Sequence, residues 1–246
     1  MGRFKMILSL ETQKLKRSGY IPTFLFGSLI ASAFPIVNML VRSENFVNLP
    51  GDPFAILTNT NWQMIAMLNT LIVICGTCMM YHAEYADNAS QKMDVLPIKG
   101  SSVFLGKLAI SATALTAMII IETVVMTWCA CHWFPSFQFS GTEFLKSIGF
   151  QVIVTLPTVI VILIIASTCK NMWVSLGIGV ILVFTFSIIP QDNTILNLFP
   201  FSSPYQTLCT VSGNGKTGIF LSVCLIETVI FALTQIIFQK IRRRSE

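Results

Sequence analysis

Six apolar stretches, at about 20–40, 62–81, 108–130, 147–168, 172–190 and 218–239, punctuate the chain with short polar connections between them. Each is close to the ~20 residues that an α-helix needs to cross a hydrocarbon layer ~30 Å thick. No water reaches the backbone in that layer, so its amides must be satisfied within the spanning segment, and continuous runs of this length do so as helices. Composition agrees. Apolar residues make up 54% of the 246 and charged residues 11%, where a soluble domain carries about 25% charge. The mean hydropathy of +0.73 points the same way and excludes soluble, disordered and collagen-like classes. The expectation is an all-α, multi-pass integral membrane protein, one transmembrane domain over 1–246. Most of the seven cysteines sit inside apolar runs, so no disulfide framework is expected.

Charge placement gives a direction. Thirteen of the sixteen basic residues fall on one side of the six-span arrangement: five in the N-terminal segment, then Lys92, Lys99, Lys107, Lys170, Lys240 and Arg242 to Arg244. Arg42, Lys146 and Lys216 fall on the other. Basic residues near span ends stay cytoplasmic, so both termini are expected inside. The net charge of +5 is then a topology signal, and no nucleic-acid partner is expected. Trp128 and Trp133 look like interfacial anchors, and Lys170 closes the fourth span. Pro157 lies within that span and should kink it, with Thr155 and Thr158 placed to satisfy the backbone groups it frees. The first apolar stretch is too long for a signal-peptide core and no small-residue cleavage site follows it, so it should remain attached.

Three segments outside the spans carry information. In residues 1–19, Phe4, Ile7, Leu8 and Leu15 fall near one helical face, with Lys5, Lys14, Lys16 and Arg17 mostly around the other. That pattern suits a helix lying in the membrane interface. The inner loop at 82–107 is the most polar connection and longer than a bare helix–helix link requires. Helix is expected over 82–95, ended by Pro97. A cytosolic partner has to dock there or on the termini. At 191–217, the stretch Ile195–Leu208 is apolar but divided by Pro200 and Pro204, too broken to span and too apolar for a free loop. An outer re-entrant or interfacial segment fits it best.

Motifs for covalent chemistry are weak. Gly213-Asn-Gly215-Lys216-Thr217 ends like a phosphate-binding loop, but Thr210 stands where the first glycine is required and the topology places it outside. If ATP drives this protein, another chain binds it. Cys75/Cys78 and Cys129/Cys131/His132 lack the four ligands of a structural zinc site, and His82-x-Glu84 lacks the second half of a deaminase motif. No catalytic residue, metal or cofactor is expected in this chain. Glu122 and Glu227 stand out instead. Both lie within spans, where a charged carboxylate costs about 2.5–3.5 kcal/mol or more. Each should face a cavity, a substrate path or a partner helix, or hold a proton and bond a neighbouring Ser or Thr.

The segment Glu11-x-x-Lys14-Leu15-Lys16-Arg17-Ser18 before the first span resembles the start of ABC type-2 permeases. The inner loop with Glu84, Asn88, Met93, Leu96-Pro97-Ile98 and Lys107 is similar to their coupling segment. The chain length also resembles permease subunits of lantibiotic-immunity transporters. The resemblance implies two six-helix subunits pairing around two cytosolic ATPases, which bind ATP and Mg. The N-terminal helix (Phe4, Ile7, Leu8, Lys14, Arg17) would lie in the interface, and Glu84, Asp87, Asn88, Met93, Asp94, Leu96, Pro97 and Lys107 would meet the ATPase. It further implies a second, different permease chain, a bacterial plasma membrane location, and export of a lantibiotic or other cationic antimicrobial peptide. A drug or lipid exporter, and more remotely a membrane-embedded immunity enzyme, are the alternatives. The chain departs from longer relatives in lacking a large outer domain, which would leave the substrate route within the spans.

Overall fold

The computed structural model describes residues 2–16, 18–85, 100–135, 137–169, 171–188, 196–213, 215 and 217–245, with backbone alone at 2–4 and 242–245. Its α-helices are α1 (Gly2–Leu15), α2 (Tyr20–Val47), α3 (Pro53–Tyr85), α4 (Gly100–Trp133), α5 (Gly141–Thr168), α6 (Met172–Ser187), α7 (Leu208–Gly213) and α8 (Thr217–Ser245). Among the described residues there is no strand. Five helices, α2, α3, α4, α5 and α8, are long and apolar enough to cross a membrane. The sixth expected span falls in α6, whose 16 residues reach only about 24 Å; residues 189 and 190, assigned to it from the sequence, lie outside the described set. The chain is an all-α, multi-pass membrane protein.

Helix boundaries follow local chemistry rather than the ends of the apolar runs. At the start of α3 the Asp52 carboxylate accepts from the Ala55 amide at 2.8 Å, and Pro53 occupies the first turn, where its missing N–H costs nothing. Asn171 caps α6 by accepting from the Trp173 amide at 2.9 Å. As a result α3 and α4, with 33 and 34 residues, are each about 50 Å long and overshoot the hydrocarbon layer. Within the helices, hydroxyls of Thr70, Thr77, Thr123 and Thr155 donate to carbonyls four residues back, so these four donors are satisfied in an apolar setting.

The core gathers Val73 and Ile74 of α3, Leu115 and Ile119 of α4, Ile160 and Leu163 of α5 and Val183 of α6. Two glycines allow α2 to approach α3: a Cβ at Gly76 would run into the Phe24 ring, and one at Gly27 into the Ile72 side chain. The outward faces of α2 and α8 are apolar, with Leu29, Ile30, Val37 and Leu40 exposed on one and Ile226, Val229, Ile230 and Leu233 on the other. Exposed apolar area of that extent is stable against lipid, not water.

Between α6 and α7, residues 201–207 are all buried. They thread among α3, α5 and α6 and are held by hydrogen bonds to backbone carbonyls. Trp62 Nε1 donates to Pro204 O at 2.9 Å, Ser203 Oγ to Val154 O at 2.7 Å and Gln151 Nε2 to Gln206 O at 3.1 Å. The Thr207 hydroxyl reaches Asn59 Oδ1 at 2.7 Å. Thr158 departs from the expectation for the proline kink. Helix α5 is continuous through Pro157, Thr155 bonds back within it to Gln151 O, and Thr158 instead donates outward to Pro200 O. A carbonyl of the irregular segment, which has no helical partner, is the more demanding acceptor.

Candidate functional site

Helix α1 carries a buried stripe at Ile7, Glu11 and Leu15, spaced by one helical turn each. It lies against α4 at Gly106, where a Cβ would come within 3.2 Å of Ile7 Cγ2. A larger side chain there would hold α1 away. The close approach carries Glu11, in the middle of the stripe, onto the neighbouring Lys107.

Four charges from three helices meet at this point. Lys107 Nζ lies 2.8 Å from Glu11 Oε2 and 2.9 Å from Glu84 Oε1. Lys14 Nζ lies 2.7 Å from Glu11 Oε1 and 3.3 Å from Glu84 Oε1. The Lys107 ammonium also sits 5.0 Å from the centre of the Tyr81 ring. The Lys107 side chain is 1% exposed and that of Lys14 33%, so the cluster is dry on the α4 side and wet on the α1 side. Two carboxylates and two ammonium groups cancel to zero net charge, the condition under which ions tolerate burial. Burial by itself would push the Glu11 carboxyl up, but Lys107 and then Lys14 outweigh it and hold the group below the usual carboxylate range. For Lys14, burial works to lower the value, and the hydrogen bond and charge of Glu11, with help from Glu84, hold it above the ordinary lysine value.

The place of the cluster in the chain matters most. Glu84 is in the last turn of α3 and Lys107 in the second turn of α4, so the two brace the roots of the connection at 86–99 from both sides and tie them to α1. A bracket beside it joins further helices: Tyr85 OH donates to Ser167 O at 2.8 Å, and Gln235 Nε2 of α8 donates to Ser167 Oγ at 2.9 Å. Ion pairs therefore link α1, α3 and α4 at these roots, and hydrogen bonds link α3 to α5 and α5 to α8 beside them. The arrangement suits transmission of movement. It brings no nucleophile to a base.

Of the residues singled out from the sequence, Glu84, Lys107, Lys14, Ile7 and Leu8 come together here, with Leu8 packed against the core. Lys14 departs from the expected solvated basic face by turning into the cluster. The side chains of Phe4 and Arg17, and all of Asp87, Asn88, Met93, Asp94, Leu96 and Pro97, lie outside the described residues, as does most of the helix expected over 82–95. Glu11 was legible only as part of a motif; an acid inside the apolar stripe of an amphipathic helix is the signal that exposes it.

Glu122 is fully buried and its Oε2 accepts from Asn69 Nδ2 at 2.7 Å, so α4 is bonded to α3 by an amide rather than by a Ser or Thr. Glu122 Oε1 and Asn69 Oδ1 have no partner. Glu227 is half-buried on α8, with Oε2 enclosed and unpartnered. The two glutamates do not join the cluster.

A family model described as ABC-2 family transporter protein matches residues 7–186, from the buried stripe of α1 to the end of α6 and across all four charges of the cluster. No curated protein matches the chain. The chain belongs to the ABC-2 transporter family, whose members are membrane permease subunits that work with an ABC ATPase.

Proposed function

We propose that this permease subunit exports a cationic antimicrobial peptide, such as a lantibiotic, from a bacterial plasma membrane, and that the ion cluster couples the export to a cytosolic ATPase dimer. The ATPases bind ATP and Mg, and a second, different permease chain completes the membrane part. The observation that carries the coupling is the fourfold contact among Glu11, Lys14, Glu84 and Lys107 at the roots of the 86–99 connection. A loop pushed by an ATPase would move these roots as one unit, because separating any buried charge from its partners is strongly unfavourable. Asp87, Asn88, Met93, Asp94, Leu96 and Pro97 are the contacts we assign to the ATPase, and α1 lies in the membrane interface beside it. The 13-to-3 basic asymmetry supports N-in, C-in topology, with the buried 201–207 segment closing the outer side as a re-entrant element.

The cargo reading rests on the likeness to immunity permeases and on short outer connections, which leave the route to the spans. The test is survival of cells expressing the assembled transporter under peptide challenge, with export of a fluorescent lipid and of a drug measured alongside. Protection from peptide that is lost in Glu84→Gln with Lys107→Gln, at matched expression, supports the proposal. Export of drug or lipid without peptide protection would move the cargo to another amphiphile. Cysteines placed at 45 and 140 should label from outside, and one at 92 should not; the reverse pattern overturns the orientation.

A further inference from the structure

Helices α3 and α4 run antiparallel and meet at two polar rungs. Glu84 pairs with Lys107 at 2.9 Å, and Asn69 Nδ2 donates to Glu122 Oε2 at 2.7 Å. Fifteen residues, about 22 Å at the helical rise, separate the rungs on each helix, so both belong to one register. The first rung has Lys14 and water at its flank. The second is sealed: Glu122 is 0% exposed and Asn69 4%.

Nothing near Glu122 balances a negative charge. Residues 20–41 of α2, 53–81 of α3, 147–168 of α5 and all of α6 contain no acidic or basic side chain. On α4 the nearest basic residues are His132 and Lys107, about 15 and 22 Å away along the helix, and the latter is already paired twice. On α8 the corresponding apolar stretch offers only Glu227, another acid. The nearest charges on α3 are His82 and Glu84 beyond one end of its apolar length and Asp52 before the other. A buried ion without a counter-charge is the least tolerable arrangement in hydrocarbon.

The hydrogen bonds lead to the same place. Glu122 Oε1 and Asn69 Oδ1 are both enclosed and both without a partner. In an ionised carboxylate each of these atoms is an acceptor only, and two acceptors cannot serve one another. One proton on Oε1 changes the count, because its O–H then donates to Oδ1 while the amide N–H donates to Oε2. We propose that Glu122 is a proton-binding site, protonated at Oε1 and closed into a ring of two hydrogen bonds with the Asn69 amide. The proton makes the second rung neutral, and the ring holds α3 and α4 in register where an ion pair has no water to lean on. The site does not depend on the cargo or the coupling assigned above.

The test is infrared difference spectroscopy of the assembled transporter in membranes at about pH 7, where an ordinary glutamate, with a pKa near 4.3, is ionised. The wild type should show the carbonyl band of a protonated carboxylic acid, shifted by exchange into heavy water. Glu122→Gln should lose that band, and Glu227→Gln should keep it. Asn69→Leu, which removes the ring partner, should move the band to higher frequency. A wild type with no acid band overturns the proposal, as does a Glu122→Gln difference that removes a carboxylate band instead. An acid band that does not move in Asn69→Leu overturns the ring.

Discussion

The two ends of the bundle are fastened by different chemistry. At the α1 end, four ionised side chains from α1, α3 and α4 form a neutral cluster. At the opposite end, the 200–207 segment is fastened by uncharged donors, each reaching a backbone carbonyl: Trp62, Gln151 and Thr158 from the neighbouring helices, and its own Ser203 donating out to Val154 O. An ion cluster holds long side chains together firmly but needs water or counter-charges nearby, and Lys14 supplies that open flank. An irregular backbone placed among apolar helices has no such flank, and its orphan carbonyls can only be met by neutral donors from neighbours. The charged end is therefore the more sensitive to loss of one member, and the neutral end loses its bonds one at a time.

The largest effect should come from Lys107→Met, which leaves the two carboxylates of Glu11 and Glu84 against the single, part-exposed ammonium of Lys14. Removing one partner of a buried ion pair costs about 3–5 kcal/mol. The expected outcome is undocking of α1, seen as a lengthened distance between spin labels on α1 and α4, with ATP hydrolysis no longer answering to substrate. A docked α1 in this variant would show the cluster to be dispensable.

At the opposite end, Trp62→Phe with Ser203→Ala should be milder. Each lost hydrogen bond is worth about 0.5–1.5 kcal/mol, and the remaining bonds still hold the segment. A drop of several degrees in melting temperature, with α1 docking intact, is the expected result. Collapse as severe as that of Lys107→Met would erase the contrast between the two ends.

Between them lies the Asn69–Glu122 pair, a neutral-donor bond on a carboxyl acceptor. Interhelical hydrogen bonds in membranes average about 0.6 kcal/mol and reach about 1.7. Glu122→Gln can still accept from Asn69 and should leave stability and peptide protection unchanged, whereas Glu122→Leu should lower the melting temperature measurably. Loss of protection in the Gln variant at normal stability would instead place Glu122 on the substrate route.

Acidity should have the smallest effect near neutrality. The Glu11 carboxyl is held below its ordinary value of 4.5, so its contribution is present above that pH and is lost only as pH falls through the lowered value. Lys14 is held above 10.5, so its contribution is full below that pH and is lost as pH rises through the raised one. Being one-third exposed, Lys14 contributes the weaker share after screening. Spin-label distances between α1 and α4 should stay constant from about pH 5 to 10 and lengthen beyond both limits, more on the acid side. A change centred near pH 7 would require a different titrating group.

The sequence by itself determined where helices lie and what surrounds them. Five of the six apolar runs fall inside one helix each, and the remaining one shares residues 172–187 with α6, because the preference of a ~20-residue stretch for hydrocarbon is a property of that stretch alone. The polar character of 82–85 and the broken apolar segment around Pro200 and Pro204 were legible for the same reason. Only the tertiary structure decided which polar groups meet. Glu11 and Lys107 are 96 residues apart and Asn69 and Glu122 are 53 apart, and nothing local fixes the rotation of one helix against another. That rotation depends on Ile7 over Gly106 and on Phe24 over Gly76, contacts between whole surfaces. Thr158 shows the same limit: its own helix offers a carbonyl one turn back, and only the arrival of Pro200 from across the bundle turns its hydroxyl outward.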